Sequence, residues 1–226
     1  MKVGPGVWLI HSRAGQSLLV EGPPLTLIDT GAAGSLGRLR RAFSRGGHRL
    51  EDLQQLIVTH PHHDHIGEAA ALKALSGASV LIHAKDAAAA SGEEQPSTDT
   101  PRGSGARLLM KLFAKPFAPV PVDGFLEDET TIDPGIRVIA TPGHTPGHCS
   151  LIIEKTGLLH VGDAMFNITG LRPPPRAFNF DELEVYRSIQ RLAALSFRRT
   201  TFGHGPPIFR HARTRLEKAA RRYRMC

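Results

Sequence analysis

The sequence contains little cysteine and no long apolar run. Only two of its 226 residues are cysteine, Cys149 and Cys226. Two thiols cannot form a disulfide framework, and their scarcity fits a reducing cytosol. No uninterrupted apolar stretch approaches the roughly 20 residues needed to cross a bilayer. The apolar stretch near the amino terminus is too short for a signal-peptide core. We therefore expect a cytoplasmic protein that does not span a membrane.

Acidic residues are scarce in the last part of the chain. Residues 198–226 contain nine Lys or Arg but only one acidic residue, Glu217, so their charge is +8, whereas the whole chain has +7. The remainder is about neutral. A basic segment could attract nucleic acid, an anionic membrane or an acidic substrate. The alternative is a solvated helix face, which we favour.

The apolar content of 41% is ordinary for a globular protein, and the length suits one layered α/β domain, residues 1–226. Two strand-rich halves are each followed by helices, which indicates two sheets with helices outside. Strands are predicted at 7–11, 17–21, 25–29, 56–59 and 79–83 and again between 130 and 162, with helices at about 34–44, 66–75, 181–195 and from about 211.

A long interruption separates the two halves. Residues 91–105 form a loop rich in Gly, Pro and Ser, and an apolar segment that includes Leu108, Leu109, Met110, Leu112, Phe113 and Phe117 follows it. Loops of this length in compact domains are often functional. We expect a lid or pocket insertion at 91–125, with completion of the core as the alternative.

A dense cluster of metal-binding residue types follows the strand predicted at 56–59. His60, His62, Asp64 and His65 fall within six residues of the segment THPHHDHIG. Zinc accepts imidazole nitrogen and carboxylate oxygen together. If Pro61 keeps the chain extended, His60 and His62 project to the same side and can share an ion, while Asp64 and His65 face a second position. Taken alone, the motif could also be a His-rich surface loop.

Four more polar residues follow apolar runs and lie beside glycine: Asp29 in LIDTG, His144 in TPGHTPGH, Asp163 in HVGDAM and His204 in TFGHG. Binding residues concentrate on loops that leave a rigid sheet edge, and glycine lets the backbone approach a metal closely. The blocks HxHxDH, TPGH, GD and GH, in this order after a leading DTG, resemble the metallo-β-lactamase superfamily. The resemblance spans residues 29–204.

This resemblance implies an α/β fold, a four-layer αββα sandwich of two mixed β-sheets with outer helices and the metals at one edge. It also implies two divalent ions, zinc first and Mn²⁺ or Fe²⁺ as alternatives. Carried over position by position, the ligands are His60, His62 and His144 for the first ion and Asp64, His65 and His204 for the second, with Asp163 as the bridge.

The chemistry of such a centre is hydrolytic. A hydroxide that bridges the ions is available at neutral pH and serves as the nucleophile. Asp64 is the candidate catalytic residue because it could move a proton toward the leaving group. Asp29 is expected to orient a histidine as an acceptor. His148 is expected to support the ligands. His63 is expected to point away from its neighbours in an extended segment and to be either solvated or supporting.

Differences from the superfamily pattern indicate which of its branches the sequence resembles. Asp163 stands where the lactamases that use a cysteine ligand have that cysteine. Together with Asp64, it resembles the glyoxalase II and lactonase-like branches of the superfamily. The chain ends 22 residues after His204, where glyoxalase II proteins continue into a helical domain that helps bind glutathione, so glutathione recognition of that kind is not expected. Phe166 stands where acyl-homoserine lactonases have a tyrosine.

We therefore predict a dinuclear-metal hydrolase that cleaves an ester, thioester or lactone in an acidic or acyl-bearing small molecule. One alternative is a metal-dependent nuclease or phosphodiesterase that uses the basic carboxy-terminal segment. However, the large inserted domain of the RNA-processing members and an aromatic-basic RNA motif are both absent. A mononuclear iron dioxygenase and a non-catalytic metal-binding module are further alternatives. Neither a nucleic acid nor a membrane is expected as a partner.

Overall fold

The strands of the first half form one mixed sheet. The computed structural model describes residues 1–94 and 116–223. The first seven strands are β1 (Lys2–Gly4), β2 (Val7–His11), β3 (Gln16–Val20), β4 (Thr26–Ile28), β5 (Gln55–Ile57), β6 (Ser79–His83) and β7 (Gly124–Leu126). They follow one another in the sheet in chain order. Strands β1 to β4 are antiparallel, whereas β4 to β7 are parallel, so β4, β5 and β6 end at the same edge.

The second half forms a five-stranded mixed sheet. Its strands are β8 (Thr131–Ile132), β9 (Ile136–Ala140), β10 (Cys149–Ile153), β11 (Leu158–His160) and β12 (Arg199–Thr201). Their order is β12-β11-β10-β9-β8. Strands β9, β10 and β11 are antiparallel, and β12 runs parallel to β11.

Six helices accompany these strands in the described residues: α1 (Leu36–Arg45), α2 (His63–Ile66), α3 (Ala69–Ser76), α4 (Ala84–Ser91), α5 (Glu182–Ala194) and α6 (Ala212–Ala220). Short 3-10 turns occupy Leu50–Asp52, Arg176–Phe178 and Arg221–Tyr223. The Asp181 side chain accepts the first free N–H groups of α5, and Gly46 ends α1, as expected for such residues at helix ends. None of these helices is both long and apolar enough to cross a membrane.

The chain divides into two compact units, and each has its own core. The first contains β1 to β7, and Leu56 and Val80 of its sheet pack with Leu39 and Phe43 of α1. The second contains β9 to β12 with α5 and α6, and its core includes Leu159 and residues of both helices. Burial of each large apolar side chain contributes about 1.5–3 kcal/mol, so the contacts between the helices and the sheet stabilise each unit.

The predicted α/β class with two mixed sheets and helices is confirmed. One local prediction is wrong: His63 begins helix α2 instead of continuing an extended segment. In α5, Val185 and Ile189 are buried, whereas Leu183 is 54% exposed. The proposed lid residues Leu108 to Phe113 lie outside the described residues, whereas Phe117 packs against the first core.

Candidate metal centre

The first unit places four candidate ligands directly after β5. His60 and His62 follow the buried end of that strand, and Asp64 and His65 lie on α2. Donor atoms of His60 and His62 lie within 4.8 Å of each other, as do those of His60 and His65 and those of Asp64 and His65. The ring centroid of His60 is 4.7 Å from that of His62 and 4.1 Å from that of His65. Within this unit, the structure therefore gathers all four residues.

Asp29 and Thr59 determine which ring nitrogen two of these histidines present. Oδ2 of the fully buried Asp29 lies 2.8 Å from Nδ1 of His65. Because a carboxylate only accepts, that Nδ1 carries the proton and Nε2 has the lone pair. The Thr59 hydroxyl donates to the same carboxylate (2.8 Å) and lies 3.0 Å from Nδ1 of His60, whose proton it therefore accepts. Both histidines thus offer a buried Nε2 to a metal.

The buried carboxylate of Glu68 holds the segment that carries His65. Thr30 donates its N–H (2.6 Å) and its hydroxyl (2.9 Å) to the carbonyl of His65, and its hydroxyl accepts the N–H of Glu68. Oε1 of Glu68 then accepts the N–H groups of Gly34 (2.5 Å) and Ser35 (2.7 Å) at the start of α1. Glu68 ties the segment that carries His65 to the preceding loop, a role that no local sequence signal indicates.

The second unit places three candidate ligands after three of its strands. His144 follows β9, Asp163 follows β11 and His204 follows β12. Oδ2 of Asp163 lies 3.5 Å from Nε2 of His144 and 3.2 Å from Nε2 of His204. One carboxylate oxygen thus lies close to two imidazole nitrogens.

The second unit also distinguishes the two histidines of TPGHTPGH. Nε2 of His148 accepts the N–H of Asp163 at 2.9 Å, so its Nδ1 carries the proton and donates to the hydroxyl of Thr141. Both nitrogens of His148 are therefore used within the protein. Nδ1 of His144 instead lies 3.3 Å from Oδ1 of Asn179, and its Nε2 faces Asp163. This geometry favours His144 over His148 as the ligand.

All seven predicted ligands are among the described residues that could hold a metal ion. Five imidazoles and two carboxylates form an N/O donor set that suits zinc and also manganese or iron. Of the histidines not expected to bind metal, His160 is buried with Nδ1 3.0 Å from the Thr201 hydroxyl, and His83 caps α4. Sequence reasoning missed Thr59, Glu68 and Asn179, which hold the ligands or their loops.

Comparison with known families identifies the fold and the class. The model of the metallo-beta-lactamase superfamily matches residues 13–204. The chain therefore belongs to the metallo-β-lactamase superfamily, as its motifs predicted. The solved structure of a metallo-beta-lactamase from Cronobacter sakazakii, a HARLDQ motif mutant, is similar with a TM-score of 0.70 and 28% identity, and the match covers 91% of this chain and 79% of that one.

Three relatives with similar sequences have the names of hydrolases. The probable metallo-hydrolase YflN of Bacillus subtilis is 30% identical over 207 residues, 80% of this chain and 75% of that protein. A hydroxyacylglutathione hydrolase of Pseudomonas paraeruginosa is 35% identical over 144 residues, 63% of this chain and 43% of that protein. An N-acyl homoserine lactonase of Bacillus cereus is 28% identical over 173 residues, 74% of this chain and 62% of that protein. The chain spans less than two thirds of the last two proteins. With its family and these hydrolase relatives, it is a metal-dependent hydrolase.

Proposed function

We propose that the protein is a dinuclear-metal hydrolase that cleaves an ester, thioester or lactone in an acyl-bearing small molecule. In this proposal, Asp163 is shared by two divalent ions, zinc in the first instance. The remaining ligands are His60, His62 and His144 for one ion and Asp64, His65 and His204 for the other. The observation that carries the proposal is the position of one Asp163 oxygen, 3.5 and 3.2 Å from Nε2 of His144 and of His204.

The ions, when bound, would supply a nucleophile from water at neutral pH and polarise the carbonyl of the substrate. The residues of the chain prepare the donors for this role. Asp29 and Thr59 hold protons on Nδ1 of His65 and His60, so that Nε2 stays available as a donor. We assign to the Asp64 carboxylate the relay of a proton, which it would take from the attacking water and give to the leaving group, since one of its oxygens lies within 4.8 Å of a donor atom of His65.

Apolar side chains beside the donors of the second unit support an acyl-bearing substrate. The ring centroid of Phe166 lies 4.7 Å from that of His204. Ile168 is 64% exposed and follows Asn167, whose N–H donates to the carbonyl of His204. Phe180 is 46% exposed, and its N–H donates to the carbonyl of His144. Ligand pockets are lined mainly by apolar and aromatic side chains, so these three groups near His144 and His204 would favour an acyl chain.

A substrate panel on protein of defined metal content tests the proposal. Acyl esters of increasing chain length, an acyl thioester, an acyl lactone and bis-p-nitrophenyl phosphate would be compared. We expect hydrolysis of at least one acyl class, no activity after metal removal and little activity on the phosphodiester. Ile168→Ser should lower kcat/KM for long acyl chains, whereas Phe125→Ser, a matched change at an exposed residue of β7, should not.

The nuclease alternative rests on the basic residues of α6, where Arg215 and Lys218 are exposed and Leu216 is buried. Hydrolysis of the phosphodiester alone would favour it. Salt-sensitive binding of RNA or DNA that Arg215→Ser and Lys218→Ser abolish would support it further, because phosphate contacts weaken steeply with salt. Neither result is expected if the substrate is a small acyl compound.

A further inference from the structure

Asn179 lies against His144 although it belongs to none of the motifs. It directly follows the 3-10 turn Arg176–Phe178, and only 1% of it is exposed. Its Nδ2 donates to the carbonyl of Pro174 at 3.3 Å, which orients the amide. Oδ1 is then directed at Nδ1 of His144, also at 3.3 Å. Because an amide oxygen only accepts, this contact places the proton of His144 on Nδ1 and the lone pair on Nε2.

The residues after Asn179 hold the backbone of the same loop. The N–H groups of Phe180 and Asp181 donate to the carbonyls of His144 (3.2 Å) and Gly143 (2.9 Å). Gly143 has φ +125°, and a Cβ there would lie 2.3 Å from a backbone nitrogen of α5, so only glycine fits this contact. The loop of His144 is therefore held at its backbone as well as at its ring.

We propose that Asn179 is a positioning residue that sets the tautomer and the ring orientation of His144 toward its metal ion. The proposal rests on the proposed function, since it takes His144 to be a ligand. Groups that accept the second N–H of a ligating histidine orient the ring and tune its affinity for metal. His65 has the anionic acceptor Asp29 in this role, whereas His144 has a neutral amide. An aspartate at 179 would keep an acceptor for the Nδ1 proton of His144 and add a charge, although it would lose the Nδ2 donor to the carbonyl of Pro174.

Three variants of the full chain test this role: Asn179→Leu, Asn179→Asp and the control Ser188→Ala. Ser188 is buried, and its hydroxyl donates to the carbonyl of Pro142 at 2.7 Å, so the control weakens the same loop without changing the group that accepts the proton of His144. Zinc affinity would be measured by competition with a chromophoric chelator. The tautomer of His144 in the metal-free protein would be read from ¹⁵N chemical shifts.

We expect Asn179→Leu to weaken the binding of one ion about 10- to 100-fold and to mix the tautomers of His144. Asn179→Asp should restore affinity and a single tautomer, and Ser188→Ala should keep both despite a lower Tm. Wild-type affinity and a single tautomer in Asn179→Leu would overturn the proposal, as would an equal loss of affinity in Ser188→Ala. If the wild type bound no second ion and cleaved no acyl substrate, the proposed function would fail. The tautomer measurement would still decide the role of Asn179.

Discussion

The carboxylate of Asp29 and the imidazole of His65 form a fully buried pair, with Oδ2 2.8 Å from Nδ1. Asp29 follows β4 and His65 lies on α2 behind β5, and these two strands are parallel neighbours. Asp29 has φ +53°, a conformation uncommon outside glycine but accessible to aspartate. The pair therefore depends on the sheet edge, which brings together two residues that lie far apart in the chain.

Asp29→Asn should weaken metal binding about tenfold, because a neutral amide supports the Nδ1 proton of His65 less well than a carboxylate does. Chelator competition measures the effect. Asp123→Asn is the control. The Asp123 carboxylate also accepts a backbone N–H, from Val80, and pairs with Lys73, but it belongs to no ligand contact shown by the structure. Equal affinities of Asp29→Asn and the wild type would contradict the role given to Asp29.

His144→Ala should lose one of two ions, whereas His148→Gln should keep both. The physical reason is that Nε2 of His148 accepts the N–H of Asp163 and its Nδ1 donates to Thr141, so neither atom is offered to a metal. Asp163→Ala should lose metal and activity together. Elemental analysis of each purified variant measures the number of metal ions per chain. Loss of an ion from His148→Gln but not from His144→Ala would reverse the ligand assignment.

Glu68→Ala should lower the free energy of unfolding by about 2 kcal/mol, because the N–H groups of Gly34 and Ser35 would lose a charged acceptor. Urea denaturation gives the value, and Glu68→Gln should lose less since it keeps an acceptor. Exposed Glu94→Ala serves as the control and should be close to wild type. A Glu68→Ala protein as stable as the control would show that Glu68 does not anchor this loop.

Acid should remove the stabilising effect of the Asp128–Arg191 pair, whose atoms lie 2.9 Å apart. Burial of Asp128 raises its pKa, but hydrogen bonds from Arg191 and from the N–H of Ala140 outweigh burial and hold the pKa below its usual value. A carboxyl whose pKa is lowered by folding stabilises the protein above its unfolded pKa, and that stability is lost as the pH falls through the folded pKa.

Arg191→Leu should therefore be modestly less stable than the wild type at neutral pH, because both partners are partly exposed, and the difference should shrink at about pH 3. Denaturation at several pH values measures it. Arg187→Leu, at an exposed residue paired with Glu184, should differ little from the wild type at any pH. A difference between Arg191→Leu and the wild type that does not change with pH would mean that packing, and not the pair, explains the loss.

Much of the local structure was predictable from hydrophobic spacing and from residues that end helices. The strands at 7–11 and 79–83 have the predicted bounds, and Asp181 and Gly46 mark the ends of α5 and α1. Helix α4 was not predicted, because its run of alanines has no apolar stripe that would separate it from a loop. The extended conformation expected of His63 is wrong, because helix α2 begins at this residue, two positions after Pro61.

The sequence by itself determined the residue types of the candidate centre and their order, since His, Asp and Gly at the ends of apolar runs can be recognised without a structure. Only the tertiary structure decided which atom each histidine presents and what holds it. Glu68 reaches Gly34 across 34 positions, and Asn179 reaches His144 across 35. Such contacts depend on how strands align and loops fold back, and hydrophobic periodicity carries no information about either.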